Sequence, residues 1–288
     1  MIYAAIPVLP YRIFDEIFVY PKGEKMNKIF DSKDRQAVFE FILSAVKACG
    51  KAVSLVQVGS GAVGFHDAHS DLDFVIALDA DGSMAEVMDY MRQKISENYD
   101  LTYFAQDEAR HLQVFLLSNL LEIDIGYGGY EHAAAIKPAF KVLFDRTGVV
   151  EEKMIRSRAW MDDQIFGNKQ KKDIERAKNS VWAHLMHAAV AIDRGLYFRA
   201  TGEMDYVRTL YIDLLCDRHR LESTLNREAD KLPENEKTEI LRTFAAGNSP
   251  DALWESLVTL TDLIYREMDE HSLPVSREML DAYYESIR

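Results

Sequence analysis

Val58-Gly59-Ser60-Gly61-Ala62-Val63-Gly64-Phe65-His66-Asp67-Ala68-His69-Ser70-Asp71-Leu72-Asp73-Phe74-Val75-Ile76-Ala77-Leu78 is the stretch on which the reading of this chain turns. The run 52–58 (AVSLVQV) reads as a strand and delivers the backbone straight into Gly59-Ser60. Glycine lets backbone approach a ligand, and the free N–H groups of a helix opened by such a turn favour phosphate. Ten residues intervene between Ser60 and Asp71. Asp71 and Asp73 then begin a second strand, 73–78 (DFVIAL). The two-residue period of a strand puts both carboxylates on one face and turns Leu72 to the other. Neighbouring carboxylates repel and are costly without a cation. A hard divalent metal resolves that conflict, and Mg²⁺ characteristically joins carboxylates to substrate phosphates.

Outward from this stretch, residues 33–49 carry apolar positions at helical spacing, with Asp31 or Ser32 to cap the start and Gly50 to end it. Ser83 with Glu86 three residues later reads as a capping box opening a helix to about Glu97. Residues 100–104 read as a short strand, and 111–117 and 120–126 as a hairpin turning at Ser118-Asn119. Alternation sets Leu121, Ile123 and Ile125 on one face and Glu122 and Asp124 on the other. Asp124 can therefore supply a third carboxylate, and three carboxylates can hold two metal ions for an in-line displacement at phosphorus. A short strand (KVLFD) follows Pro138. From about residue 150 strand signals vanish, and 173–194, 203–219, 236–245, 251–270 and 276–286 carry helical periodicity. The expected fold is α+β: a small mixed-sheet domain over 27–150, then an all-α helical bundle over 151–288, with 1–26 an N-terminal extension of unassigned role.

Gly-Ser, a Gly four residues after the Ser, then Ser-Asp-x-Asp and an apolar strand resemble the signature of the DNA polymerase β-like nucleotidyltransferase superfamily. The later Asp in Leu121-Glu122-Ile123-Asp124-Ile125 matches it too. Within that superfamily the chain looks most like the aminoglycoside and lincosamide nucleotidyltransferases. Lys141-Val142-Leu143-Phe144-Asp145-Arg146-Thr147-Gly148 resembles the end of their catalytic domain. Asp193-Arg194-Gly195 through Arg199-Ala200 to Tyr206-Val207-Arg208 resembles a helix pair in their C-terminal part. The resemblance implies nucleotide contacts at Gly59, Ser60, Ser70, Asp71 and Asp73, and Mg²⁺ ligation, two ions during turnover, by Asp71, Asp73 and Asp124. It makes Asp71, Asp73 and Asp124 the catalytic residues, with Asp124 either completing the metal site or acting as general base and Glu122 in reserve for that role. It implies ATP or another nucleoside triphosphate as co-substrate and a small-molecule hydroxyl as acceptor, with a protein side chain as the alternative acceptor and a nucleotide-binding module without turnover as the alternative role. It further implies an active site in the cleft between the two domains. One departure is Gly61, where the family commonly carries a basic residue.

The charge balance is consistent with such partners. The 47 acidic and 34 basic residues of the 288-residue chain leave a formal net charge of −13. An acidic surface repels a polyphosphate unless basic residues are concentrated on one face. The nearest basic run, Lys169-Gln170-Lys171-Lys172, reads as a solvated helix start. A large nucleic acid is a poor partner on this balance, and a cationic small molecule a better one. Cys49 and Cys216 make no disulfide framework or zinc spacing, which suits a reducing cytoplasm. No segment has the length of a transmembrane helix, and Met1–Tyr11, broken by Pro7 and Pro10, lacks the basic start of a signal peptide. His66, Asp67 and His69 read as exposed loop residues, and His184 with His187 as interhelical packing. Lys178, Arg194, Arg199 and Arg208 are candidates to reach a triphosphate, and Glu203 and Asp205 a cationic acceptor, although each also suits an ordinary ion pair.

Overall fold

A computed structural model of the chain describes residues 16–19, 28–65, 67–135, 139–247, 249–269 and 273–288, so His66, Pro138 and most of the stretch 1–26 lie outside the described residues. The chain divides into two compact units, residues 1–162 and 163–288. In the first, the elements are β1 (Glu16–Val19), α1 (Ser32–Ala48), β2 (Ala52–Val58), β3 (Leu72–Leu78), α2 (Met84–Asn98), β4 (Leu101–Asp107), β5 (Leu112–Leu117), β6 (Glu122–Gly129) and β7 (Phe140–Asp145). The seven strands form one sheet in the order β1-β4-β5-β6-β3-β2-β7. Its one parallel pairing is β3 with β6; the rest are antiparallel, so the sheet is mixed as expected. A parallel pair needs a crossover, and here α2, β4 and β5 supply it.

Alternation sorts the two sheet faces. Leu55, Leu72, Phe74, Ile76, Leu78, Ile123 and Ile125 are buried with Val38, Ile42 and Val46 of α1 and Val87, Met91 and Ile95 of α2. Val56, Val58 and Ala77 turn the other way, onto Ala135, Val150 and Met154. α1 starts as its sequence predicts. Asp31 accepts from the Asp34 amide while the Asp34 carboxylate accepts from the Asp31 amide. The capping box expected at Ser83 does not form. A 3₁₀ turn at Asp81–Ser83 leads into α2, Ser83 is itself helical, and its hydroxyl donates to Asp79 Oδ1 at 2.6 Å. The strand expected at 100–104 extends to Asp107 because it pairs along its length with β5.

Asp145 and Arg146 fasten the end of the sheet. The Asp145 carboxylate accepts from the Thr147 hydroxyl and amide, the Gly148 amide and the Val150 amide, at 2.7–3.1 Å. The Arg146 guanidinium donates to the carbonyls of Lys47, Cys49 and Gly50 at the C-terminal end of α1. Partial burial raises the Asp145 pKa, but these four donors outweigh it and hold the carboxyl below its usual range. A depressed pKa contributes stability above the unfolded-state value, and that contribution disappears as pH falls through the folded value. Asp145→Ala is expected to lower the unfolding free energy by about 1–2 kcal/mol at neutral pH. Urea melts across a pH series should show the gap between variant and parent narrowing in acid; a constant gap would contradict this role.

A 44-residue helix, α3 (Val150–Asp193), follows. In the second unit its later part packs with α4 (Tyr197–His219), α5 (Glu234–Arg242), α6 (Pro250–Glu267) and α7 (Arg277–Ile287). Val181, Leu185, Leu210, Leu214, Leu257, Leu260, Ile264 and Leu280 share one core. Gly195, at φ 68°, makes the tight turn between α3 and α4, so the helix pair expected around Asp193–Arg208 is present. The run 169–172 is not a helix start but lies well inside α3. Lys169 is half-buried and reaches Asp173 at 2.7 Å, Asp217 at 2.9 Å and Asp213 at 3.6 Å. Burial pushes the Asp217 carboxyl up despite the Lys169 ammonium, and the three distances commit this lysine to acidic neighbours. Both cysteines are free and buried, and burial pushes the Cys216 thiol up to about 12. Among the described residues no helix is long and apolar enough to cross a membrane.

Candidate active site

The strand β2 ends at Val58, and the chain turns at Gly59 with φ 66°, a backbone region that favours glycine. Residues 59–63 form a five-residue 3₁₀ turn, not the α-helix expected from the sequence. Gly59, Gly61 and Gly64 explain this: glycine is a poor helix former, and Gly64 at φ 93° ends the turn. The Gly59 backbone stands directly against Asp73. A Cβ built at Gly59 would lie 2.2 Å from Asp73 Oδ2 and 3.0 Å from its Cγ.

Asp73 and Asp124 are register partners across the parallel pair β3–β6. Adjacent strands run about 5 Å apart and paired side chains share a face, so the two carboxylates are lateral neighbours. Counting back along that register sets Asp71, just before β3, level with Glu122 at the start of β6. Asp124 is 3% exposed, while Asp71, Asp73 and Glu122 are partly exposed. The register thus brings Asp73 to Asp124, and the Gly59 backbone stands against Asp73. No three His, Cys, Asp or Glu side chains among the described residues converge in metal-binding geometry, so Asp71 is not drawn into a ready-made triad. Mg²⁺ is usually held by one or two carboxylates together with substrate phosphates. A hard-oxygen pair on two hydrogen-bonded strands fits that requirement.

Position 61 has a steric reason for lacking a basic side chain. A Cβ there would lie 2.1 Å from Gln57 Nε2 and 2.9 Å from Phe65 Cζ. Gln57 is buried, and its Nε2 has no hydrogen-bond partner among the described residues. Gly61→Arg is therefore expected to cost about 1–3 kcal/mol of stability by overpacking, without tightening nucleotide binding. Urea midpoints and a nucleotide titration check both parts, and a stable, tighter-binding variant would refute the packing account.

The loop 67–70 is exposed as expected for Asp67 and His69, but it is ordered by its own bonds. Asp67 accepts from the His69 amide at 2.7 Å and from the Ser70 hydroxyl at 2.8 Å. The Ser70 hydroxyl, a nucleotide contact in the sequence reading, is thus engaged within the loop. Those two donors, the Ser70 hydroxyl first, hold the Asp67 carboxyl below its usual range. The sequence reading passed over Arg35, a buried cation in α1 whose side chain reaches this loop. Its signal was an arginine at an inward position of an amphipathic helix.

Of the basic candidates in the helical unit, Lys178, Arg199 and Arg208 have local partners, while Arg194 is exposed. Arg208 is buried, donates to Thr243 Oγ1 at 2.8 Å and Thr243 O at 2.7 Å, pairs with Asp205 and lies over the Phe244 ring. It braces helices and is not a free phosphate ligand. Glu203 lies 2.6 Å from His184 Nδ1 and 3.4 Å from Arg199 Nε, and His184 stacks on Tyr206. His184 therefore serves interhelical packing, as its spacing suggests. Lys178 pairs with Glu175 within α3.

No family model and no curated protein matches the chain. Among solved structures it is similar to an aminoglycoside 6-adenyltransferase from Bacillus subtilis, at a TM-score of 0.38 and 11% sequence identity over 88% of this chain and 97% of that one.

Proposed function

We propose that the chain is a Mg²⁺-dependent nucleotidyltransferase that moves a nucleoside monophosphate, AMP from ATP in the first instance, to a hydroxyl of a small molecule. The observation that carries this reading is the β3–β6 register, which sets Asp73 beside Asp124 with the Gly59 backbone against Asp73. Gly59 and Ser60 receive the β- and γ-phosphates. Asp73 and Asp124 would hold the metal, with Asp71 turning in to join them once an ion is bound and a second ion present during turnover. Bound there, Mg²⁺ contributes positive charge against the phosphate oxygens as negative charge gathers on the departing pyrophosphate. The acceptor hydroxyl oxygen bonds to the α-phosphorus, the bond from that phosphorus to pyrophosphate breaks, and a carboxylate takes the hydroxyl proton. Glu122, level with Asp71 and more exposed than Asp124, is the better placed base once Asp124 ligates metal. Positioning and charge neutralisation supply most of the rate.

A cationic acceptor suits a chain of formal charge −13, and the motif resemblance points to aminoglycosides or lincosamides. The test is pyrophosphate release with Mg²⁺, each nucleoside triphosphate in turn and a panel of both antibiotic classes. Acceptor-dependent release supports the reading. Failure to bind any nucleotide in the presence of Mg²⁺ would end it.

A further inference from the structure

Arg35 is 5% exposed, and among the described residues its guanidinium hydrogen-bonds to backbone carbonyls, with the Asp67 carboxylate close enough to feel its charge. Nη1 donates to the carbonyls of Asp67 and Ser70, each at 3.1 Å, and Nη2 donates to the Asp67 carbonyl at 3.1 Å. The plane of the group is stacked on Phe65, 3.8 Å from the ring centroid. A buried cation that donates to backbone carbonyls is expensive, and the nearby Asp67 charge offsets only part of that cost. What it secures is the exit of the loop: Ser70 is the residue before Asp71, and Asp71 is two residues before Asp73. Three donors from one rigid fork fix the Asp67 and Ser70 peptides relative to α1, which is itself packed on the sheet carrying Asp73 and Asp124. The loop's own bonds, through Asp67, hold its shape but do not tie it to the sheet.

We infer that Arg35 is a positioning residue for the metal site, fixing the backbone that presents Asp71 on the same side as Asp73 and Asp124. The inference rests on the proposed function and adds a residue to it. Arg35→Lys keeps the charge and much of the length but loses the fork, so it cannot hold both carbonyls.

The experiment is Mn²⁺ binding to the full-length chain, read from the electron paramagnetic resonance signal of free Mn²⁺, for wild type, Arg35→Lys, Asp71→Asn, Asp73→Asn and the Arg35→Lys/Asp71→Asn double variant. Thermal melts accompany each. Arg35→Lys is expected to weaken Mn²⁺ binding by about 10–100-fold, the range for a group that orients a ligand. The double variant is expected to bind as Asp71→Asn alone, because Arg35 acts through Asp71. Unchanged Mn²⁺ affinity in Arg35→Lys, or losses that multiply in the double variant, would overturn the inference while leaving the metal site standing. Asp71→Asn and Asp73→Asn that both bind Mn²⁺ as wild type would overturn the parent reading and this one with it. Should Arg35→Lys show no cooperative melt, Phe65→Leu takes its place in the same cycle, since it removes the ring that orients the guanidinium and leaves the three donors present.

Discussion

Asp73→Asn is expected to lower acceptor-dependent pyrophosphate release by about 10³-fold or more, equivalent to roughly 4 kcal/mol of transition-state stabilisation. The substitution is nearly isosteric, so packing changes little. Asp73 and Asp124 are lateral neighbours in the parallel register, and like charges in that relation destabilise a sheet. Relief of that repulsion offsets part of what the carboxylate's own contacts contribute, so the metal-free variant should still melt cooperatively. A cooperatively folded, inactive protein is therefore the signature to look for. Asp124→Asn should behave in the same way, and Mg²⁺ titration should show that neither variant recovers at high metal concentration. A variant at position 73 that retains activity within a few-fold of wild type would remove the metal role from this pair.

Gly59→Ala is expected to be damaging for two separable reasons. Its φ of 66° costs an L-residue roughly 1–2 kcal/mol. The added Cβ would also stand 2.2 Å from Asp73 Oδ2, so the carboxylate must swing away from its place beside Asp124. A misplacement of that order in a catalytic arrangement costs about 10²-fold in rate. Gly64→Ala separates the two effects. Gly64 is also at positive φ, 93°, but a Cβ there would meet nothing within 4 Å. Both variants should lose stability in urea melts, and only Gly59→Ala should lose activity well beyond its loss of stability. Equal activities in the two would mean that the turn does not hold the Asp73 carboxylate in place.

A pairing of this kind joins residues 51 positions apart, Asp73 and Asp124, and nothing local to either strand announces it. What could be read from the sequence was whatever repeats over a few residues. The runs 52–58 and 73–78 declared themselves as strands through their β-branched and apolar content. The alternation of Leu121, Ile123 and Ile125 with Glu122 and Asp124 gave the carboxylate face before any coordinate was known, because side chains alternate along every strand. The helical unit was legible in the same way, through its 3.6-residue period; α5 and α6 end three residues earlier than expected, and the largest differences are at the starts of α3 and α4. Both helices begin earlier than their apolar stripes, since packing and turn chemistry set the ends.

Other features depended on contacts between distant segments. Ser83 has the sequence of a capping residue, but a nearby Asp79 competes for its hydroxyl. Lys169 looks like a surface charge until α4 brings Asp213 and Asp217 against it. Arg208 looks like a phosphate ligand until Thr243 and Asp205 engage each of its three nitrogens. Gly61 looks like a lost contact until Gln57 and Phe65 fill its space. The sequence by itself determined the strands, the helices and the residue types that face together, because these follow from short-range periodicity and backbone chemistry. Only the tertiary structure decided that β6 lies parallel beside β3, that Gly59 closes on Asp73 and that Arg35 ties down the loop before Asp71, because each is a meeting of segments whose separation along the chain carries no periodic signal.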